Sequence, residues 1–398
     1  MPRPAFELAA VFRRFGKAFR AARPIFRAQA RVMRAVEICR TAVLGGHVEQ
    51  CGHCSHTRNA YNSCRNRHCP KCQNTERARW LAARKAELLP VEYFHVVFTV
   101  PPPIAQIAFQ NPREVYGILF RAVAETLLTI ARDPEHLGAE IGFFAILHTW
   151  GQNLLHHPHV HCVVPGGGLS SDGSRWISCR SRFFLPVRVL SALFRRLLLE
   201  ALERAFKQGK LRFFGELAGL RDPTGFAAHL EPVREAKWVV YAKPPFGGPA
   251  HVLEYLGRYT HRVALSNDRI LDVEEQGVTF QWKDYRNGKG RTKSRRMRLE
   301  GAEFIRRFLM HVLPDRFQRI RHCGFLANRR RKPSLALCRR LLSSPMAELL
   351  PGAEQCAAAC EAIAPRLPIR CPACGIGVMI RVAILPTYRW PSIPPDSS

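Results

Sequence analysis

Cys51, Cys54, Cys69 and Cys72 write two CxxC hooks separated by residues 55–68. The stretch around them is poor in apolar residues and rich in Asn, Arg and His, so it buries too little to order itself. Four thiolates closing a tetrahedron on a zinc ion solve that problem, because zinc tolerates all-sulfur ligation. The spacing predicts one structural zinc at Cys51, Cys54, Cys69 and Cys72, with Cys64 and His68 as substitutes for one ligand. A four-sulfur site has no open position, so catalysis is not expected there. A second hook, Cys371 and Cys374 in CPACG, stands near the C-terminus. Cys356 and Cys360 are the candidates to complete a second zinc site with it.

Charge narrows the partner. The 398 residues carry 61 Lys+Arg against 31 Asp+Glu, a net charge of +30, and 50 of the 61 are Arg. The planar guanidinium fork matches phosphate, so a polyanion is the expected partner. Nucleic acid is favoured over a membrane surface, since no run of about 18 apolar residues occurs. The N-terminus is basic and amphipathic but lacks the apolar core of a secretory signal. The expected location is the cytoplasm, at the bacterial nucleoid, where thiols stay reduced or metal-bound. Hydrophobic residues at 47% exclude wholesale disorder.

Residues 1–48 read as a basic amphipathic helical segment, either packed on the body or gripping DNA. Residues 74–89 read as a helix with Asn74 as N-cap and Pro90 just past its end. Residues 92–100 (EYFHVVFTV), 142–149, 159–164 (HVHCVV) and 237–242 are β-branched and aromatic and read as strands. Helical spacing covers 111–132, 188–206 and 249–259, and a hairpin is expected over 269–285 with its turn near Gly277. Paired strands interrupted by helices, without βαβ alternation, predict an α+β fold with a central antiparallel sheet flanked by helices.

His148, His156, His157, His159 and His161 put five of the chain's sixteen histidines into fourteen residues. His159 and His161 are two apart on one strand, so both imidazoles face the same way while Val160 faces a core. Two imidazoles on one strand face make half a divalent-metal site. His148 ends the preceding strand and lies roughly opposite His159 if the two strands form a hairpin, which makes it the expected third ligand. Gln152, His157 and His95 are the alternatives. Spacing alone does not choose between Mg²⁺ and Mn²⁺.

In EYLGRYTHR, Tyr255 and Tyr259 are four apart and share one helix face, with Arg258 and Arg262 as a second such pair. Alone, that spacing is ordinary packing. Beside a metal site on a basic chain it offers two nucleophiles for a phosphate that the metal polarises. Residues 286–298 hold seven basic side chains in thirteen, including Arg295, Arg296 and Arg298, and Arg329, Arg330, Arg331 and Lys332 form another run. Phosphate contacts are expected from both. Trp282 and Tyr285 beside the first run are candidates either to stack on unpaired bases or to pack in the hairpin core.

The strings CGHCSHTRNAYNSCRNRHCPKCQ, HPHVHCVVPGGGL and EYLGRYTHR, in this order, resemble the rolling-circle transposases of the IS91 type, from about residue 50 to 333. That family belongs to the single-strand endonucleases named for a His-hydrophobe-His motif, matched here by His159, Val160 and His161. The resemblance implies nicking of single-stranded DNA with a Tyr joined to the 5′-phosphate and a free 3′-OH left behind. Tyr255 and Tyr259 match its two tyrosines, and Arg258 and Arg262 are candidates for clamping phosphate. It also implies a zinc module that assists DNA recognition. The segments expected are a basic helical one (1–48), a zinc-binding domain (49–90), a nuclease domain with the Tyr helix (91–285) and a basic, mainly helical C-terminal region (286–398). The rival readings are a non-enzymatic zinc-finger DNA binder and a rolling-circle plasmid replication initiator.

Overall fold

The computed structural model describes residues 5–85, 87–243, 257, 264–284, 293–342 and 369–388. The chain forms two compact units, neither contiguous in sequence. One gathers Met1–Ala78, His261–Leu309 and Gly352–Ser398; the other gathers Arg79–Thr260 and Met310–Pro351. The expected segments at 49–90, 91–285 and 286–398 therefore do not coincide with the units, because long-range strand pairing recruits late parts of the chain into both.

In the first unit, α1 (Leu8–Ala22) and α2 (Arg27–Glu37) are basic amphipathic helices. The apolar stripe of α1 is buried, with Val11 and Phe12 fully so. Phe12 meets Phe308 of the later helix Gly301–Leu309 edge to face at 5.5 Å. Of the two readings of the N-terminal segment, packing on the body is the one seen for this stripe. The strands β1 (Gly46–Cys51) and β2 (Thr57–Tyr61) form an antiparallel hairpin. Helix α3 opens at Pro70 and runs to Lys85 (Pro70–Lys85). It starts four residues ahead of the Asn74 cap expected from sequence, because Pro suits the first helical turn and so the second CxxC hook itself begins the helix. The expected hairpin near Gly277 is present as β9 (Ile270–Val273) and β10 (Gly277–Asp284), extended by β11 (Lys293–Glu300) into a three-stranded antiparallel sheet. Gly301–Leu309 is α8.

The second unit is built on a five-stranded sheet. Its strands are β3 (Tyr93–Thr99), β4 (Gly142–Trp150), β5 (His156–Pro165), β8 (Val240–Lys243) and β12 (Ile320–Gly324), in the order β12-β4-β5-β3-β8 with every neighbour antiparallel. A small hairpin of β6 (Gly167–Leu169) and β7 (Trp176–Ser178) follows β5. The helices α4 (Pro102–Gln110), α5 (Pro112–Arg132), α6 (Val187–Lys207) and α7 (Pro223–Glu235) accompany them.

The period of two in each strand sorts its side chains. Phe94, Val96 and Phe98, then Phe143, Ala145 and Leu147, then Val160, Cys162 and Val164 all enter one large core. Val123 and Leu127 of α5 and Phe194 and Leu198 of α6 complete it. The opposite sheet face carries Tyr93, Phe144, Ile146 and Val163, covered by Leu335 and Cys338 of α9 (Arg331–Leu341). Further along that same face the residues are His95, His148, His159 and His161. Burying Phe98 fully contributes about 1.5–3 kcal/mol, and the sheet has many such anchors, so the histidines sit on a stiff floor.

Among the described residues of the C-terminal region, three strands have no counterpart in the sequence reading: β11, β12, and β13 (Met379–Leu385), which pairs antiparallel with β1 to make the sheet β13-β1-β2. They join α8 and α9 in the region expected to be mainly helical. The mixed α+β class with antiparallel sheets is the one observed. No helix among the described residues is long and apolar enough to cross a membrane.

Candidate metal centres

The histidine centre follows from strand register. His148 pairs directly with His159 across β4 and β5, and the ladder shifts register between His148 and Trp150. His161 is two residues further along β5, on the same face. The ring centroids of His148 and His161 are 4.4 Å apart, and those of His159 and His161 are 4.8 Å apart. One ligand nitrogen from each of the three lies within 4.8 Å of the others. His148 and His161 are buried and His159 is half-buried.

The surrounding bonds orient these rings. The His159 Nδ1–H donates to the His157 carbonyl at 2.7 Å, which leaves Nε2 as the nitrogen with a lone pair. His161 Nδ1 and His95 Nε2 share a hydrogen bond of 2.8 Å. Burial pushes the His159 pKa down to about 4, so the ring is neutral at pH 7, as a metal ligand must be. Of the alternatives for the third ligand, His157 is exposed, gives its carbonyl to His159 and lays its ring beside that of His159 at 5.2 Å, while His95 stands behind His161 as its hydrogen-bond partner. Gln152 lies in the turn between β4 and β5. Three imidazoles converging from two strands suit a divalent ion.

A buried network borders this centre. Tyr116 Oη and His156 Nε2 are hydrogen-bonded at 2.8 Å. His311 Nε2–H donates to the Leu154 carbonyl at 3.1 Å, and its Nδ1 meets Thr149 Oγ1 at 3.2 Å. Burial pushes His311 down to about 3 and His156 down to about 4, so both are neutral near pH 7.

The cysteines are arranged differently from the sequence expectation. Cys51, Cys54, Cys69 and Cys72 do not form one site. Cys69 and Cys72 converge with Cys39 and Cys64, whereas Cys51 and Cys54 converge with Cys371 and Cys374. The cause is topological: the β1/β2 hairpin separates the first hook from the second, and the β1/β13 ladder brings in the C-terminal one. In the first group the Cys39–Cys72 and Cys64–Cys72 sulfurs are each 3.6 Å apart. A tetrahedron with zinc–sulfur bonds of about 2.3 Å has edges of about 3.8 Å. The donor set and its dimensions therefore fit zinc. Cys72 lies in the first turn of α3, and its pKa is held far below the usual thiol range by hydrogen bonds from Cys39, Cys64 and Cys69. Cys64 is the substitute ligand that the sequence suggests. Cys39 belongs to no CxxC hook, and sequence reasoning misses it. Cys356 and Cys360 lie outside the described residues.

Tyr255, Tyr259, Arg258, Arg262 and Tyr285 also lie outside the described residues. Arg295, Arg296 and Arg298 are exposed on β11. Arg298 is engaged by Glu274, with Nε donating to Oε2 at 2.9 Å. Trp282 stands opposite Arg295 in the β10/β11 ladder.

Two sequence families match the chain. One described as "Transposase zinc-binding domain" matches residues 11–100, and one described as "Putative transposase" matches residues 142–333. The chain is 58% identical over 394 residues, 98% of each chain, to "Putative transposase y4qJ" of Sinorhizobium fredii. It is 28% identical over 297 residues, 73% of this chain and 68% of the relative, to "Transposase for insertion sequence element IS801" of Pseudomonas savastanoi pv. phaseolicola. No solved structure matches it. The chain belongs to the IS91-type transposase family, with DNA as its partner and a zinc-binding domain in its N-terminal part.

Proposed function

We propose that the chain is a DNA strand transferase that nicks single-stranded transposon ends and joins them to a target through a 5′-phosphotyrosine, in rolling-circle transposition. The observation that carries this reading is the convergence of His148, His159 and His161 on one face of a stiff antiparallel sheet. These three residues would hold Mg²⁺ or Mn²⁺. When bound, the ion supplies Lewis-acid polarisation of the scissile phosphate.

The chain's own residues do the rest. Tyr255 or Tyr259 loses its phenolic proton and attacks phosphorus. The new bond joins the Tyr oxygen to the 5′-phosphate, the bond to the 3′ oxygen breaks, and that oxygen takes up a proton to leave a 3′-OH. In the reverse sense a 3′-OH attacks the phosphotyrosine, rejoining DNA and freeing the tyrosine, so no hydrolysis is needed. Two tyrosines four residues apart in the sequence allow successive cleavages. Arg258 and Arg262 are assigned to the phosphate charge that develops during transfer. The basic face of β11 and the zinc module are assigned to DNA binding.

The test is incubation of the protein with single-stranded oligonucleotides and Mn²⁺. A protein–DNA band that survives denaturation is expected, absent with chelator and absent from a His159→Ala/His161→Ala variant that still shifts the oligonucleotide. Binding with no covalent band under any metal would mean a non-enzymatic DNA binder.

A further inference from the structure

We propose that the chain holds two zinc ions, and that the second is bound by Cys51, Cys54, Cys371 and Cys374, stapling the C-terminal strand into the zinc module. This inference is independent of the strand-transfer chemistry. The zinc-binding family match ends at residue 100 and so includes only half of these ligands.

Cys51 and Cys374 sulfurs lie 3.8 Å apart and Cys54 and Cys371 sulfurs 3.7 Å apart, across sequence separations of 323 and 317. These are the edges of about 3.8 Å expected for a zinc tetrahedron. Both hooks fold as matching turns. Cys51 Sγ accepts from the backbone N–H of His53 and Cys54, at 3.4 and 3.5 Å. Cys371 Sγ accepts from Ala373 and Cys374 Sγ from Gly377, each at 3.4 Å. Such N–H donors favour thiolates and orient them, a recurring outer layer around metal ligands. The close approach of the hooks also explains Gly377: a Cβ there would stand 2.4 Å from Cys51 Sγ and 2.7 Å from His53 Cβ.

Packing alone does not hold this strand. Among the described residues β13 is an edge strand of its sheet bonded only to β1, and Ile380, Val382 and Ile384 are 56%, 53% and 79% exposed. The apolar cluster at its base consists of Cys51, Cys371 and Met379, with Cys374 beside it. All of these except Met379 are ligands themselves. A segment with so little core needs its metal to fold. The four thiols converge where the β1/β13 ladder ends, at the Cys51–Met379 pair.

Elemental analysis of the full chain purified with zinc tests this directly. Two zinc ions per chain are expected, falling to one in Cys371→Ser/Cys374→Ser and to one in Cys39→Ser/Cys64→Ser. Should a variant fail to fold, mass-mapped alkylation of the unmutated protein gives the same answer. Cys371 and Cys374 should be protected together with Cys51 and Cys54, and all four should be labelled after chelation. One zinc per full chain, two zincs retained in Cys371→Ser/Cys374→Ser, or Cys371 and Cys374 alkylated freely before chelation would each overturn the proposal.

Discussion

His148 lies directly opposite His159 across the β4/β5 ladder, and their rings meet edge to face with centroids 5.5 Å apart. Antiparallel pairing thus converts a two-residue motif on one strand into a three-imidazole centre spanning two. The register shift just past His148 falls where the ladder meets the turn, a common way to re-aim a side chain beside a site.

That relationship separates His148 from its sequence neighbours. His148→Ala should lower Mn²⁺-dependent cleavage by about 100-fold or more, since losing even an outer partner of a metal site typically costs about 10–100-fold. His157→Ala should change it only slightly, because the ring is exposed and the carbonyl that His159 bonds is kept. Cleavage rates across a Mn²⁺ titration measure both. Equal losses in the two variants would remove His148 from the centre.

Acid should weaken the second unit through His311. Its folded pKa is lowered to about 3 by burial, below the ordinary value of about 6.5. Between those values the unfolded chain binds the extra proton, so stability rises with pH and is lost as pH falls through that window. One such histidine contributes a slope of about 1.4 kcal/mol per pH unit. His311→Gln, which can still donate to Leu154, should reduce the slope by about that amount in denaturant unfolding between the two pKa values. An unchanged slope would mean that the His311 ring reaches water.

The β11 arginines should differ in their salt response. Arg298 is already neutralised by Glu274, so Arg298→Ala should alter the salt dependence of single-strand binding little. Arg296→Ala should flatten log K against log salt by about 0.7 if that side chain neutralises one phosphate. Fluorescence anisotropy across a salt series measures the slopes. A larger effect from Arg298→Ala would reverse this ranking.

Local patterns in the sequence carried the local structure. Alternation in HVHCVV put Val160 in the core and both histidines on the other face, and helical spacing over 111–132 became α5. The CxxC hooks announced thiolate sites but not their partners. Cys39 has no hook of its own, and nothing near Cys51 points to a strand at the far end of the chain. The pairing of β13 with β1, and of β12 with β4, depends on long-range register that short windows do not contain.

The most direct measurement is the covalent adduct formed by the two tyrosines. A Tyr→Phe change removes the nucleophile and keeps the ring, so it isolates chemistry from packing. Either single variant, Tyr255→Phe or Tyr259→Phe, should still nick a single-stranded oligonucleotide through its partner. The double variant should form no denaturation-resistant band in Mg²⁺ or Mn²⁺, yet shift the same oligonucleotide in a native gel as the parent does. A double variant that forms the adduct or cleaves at the parental rate would contradict the two-tyrosine mechanism.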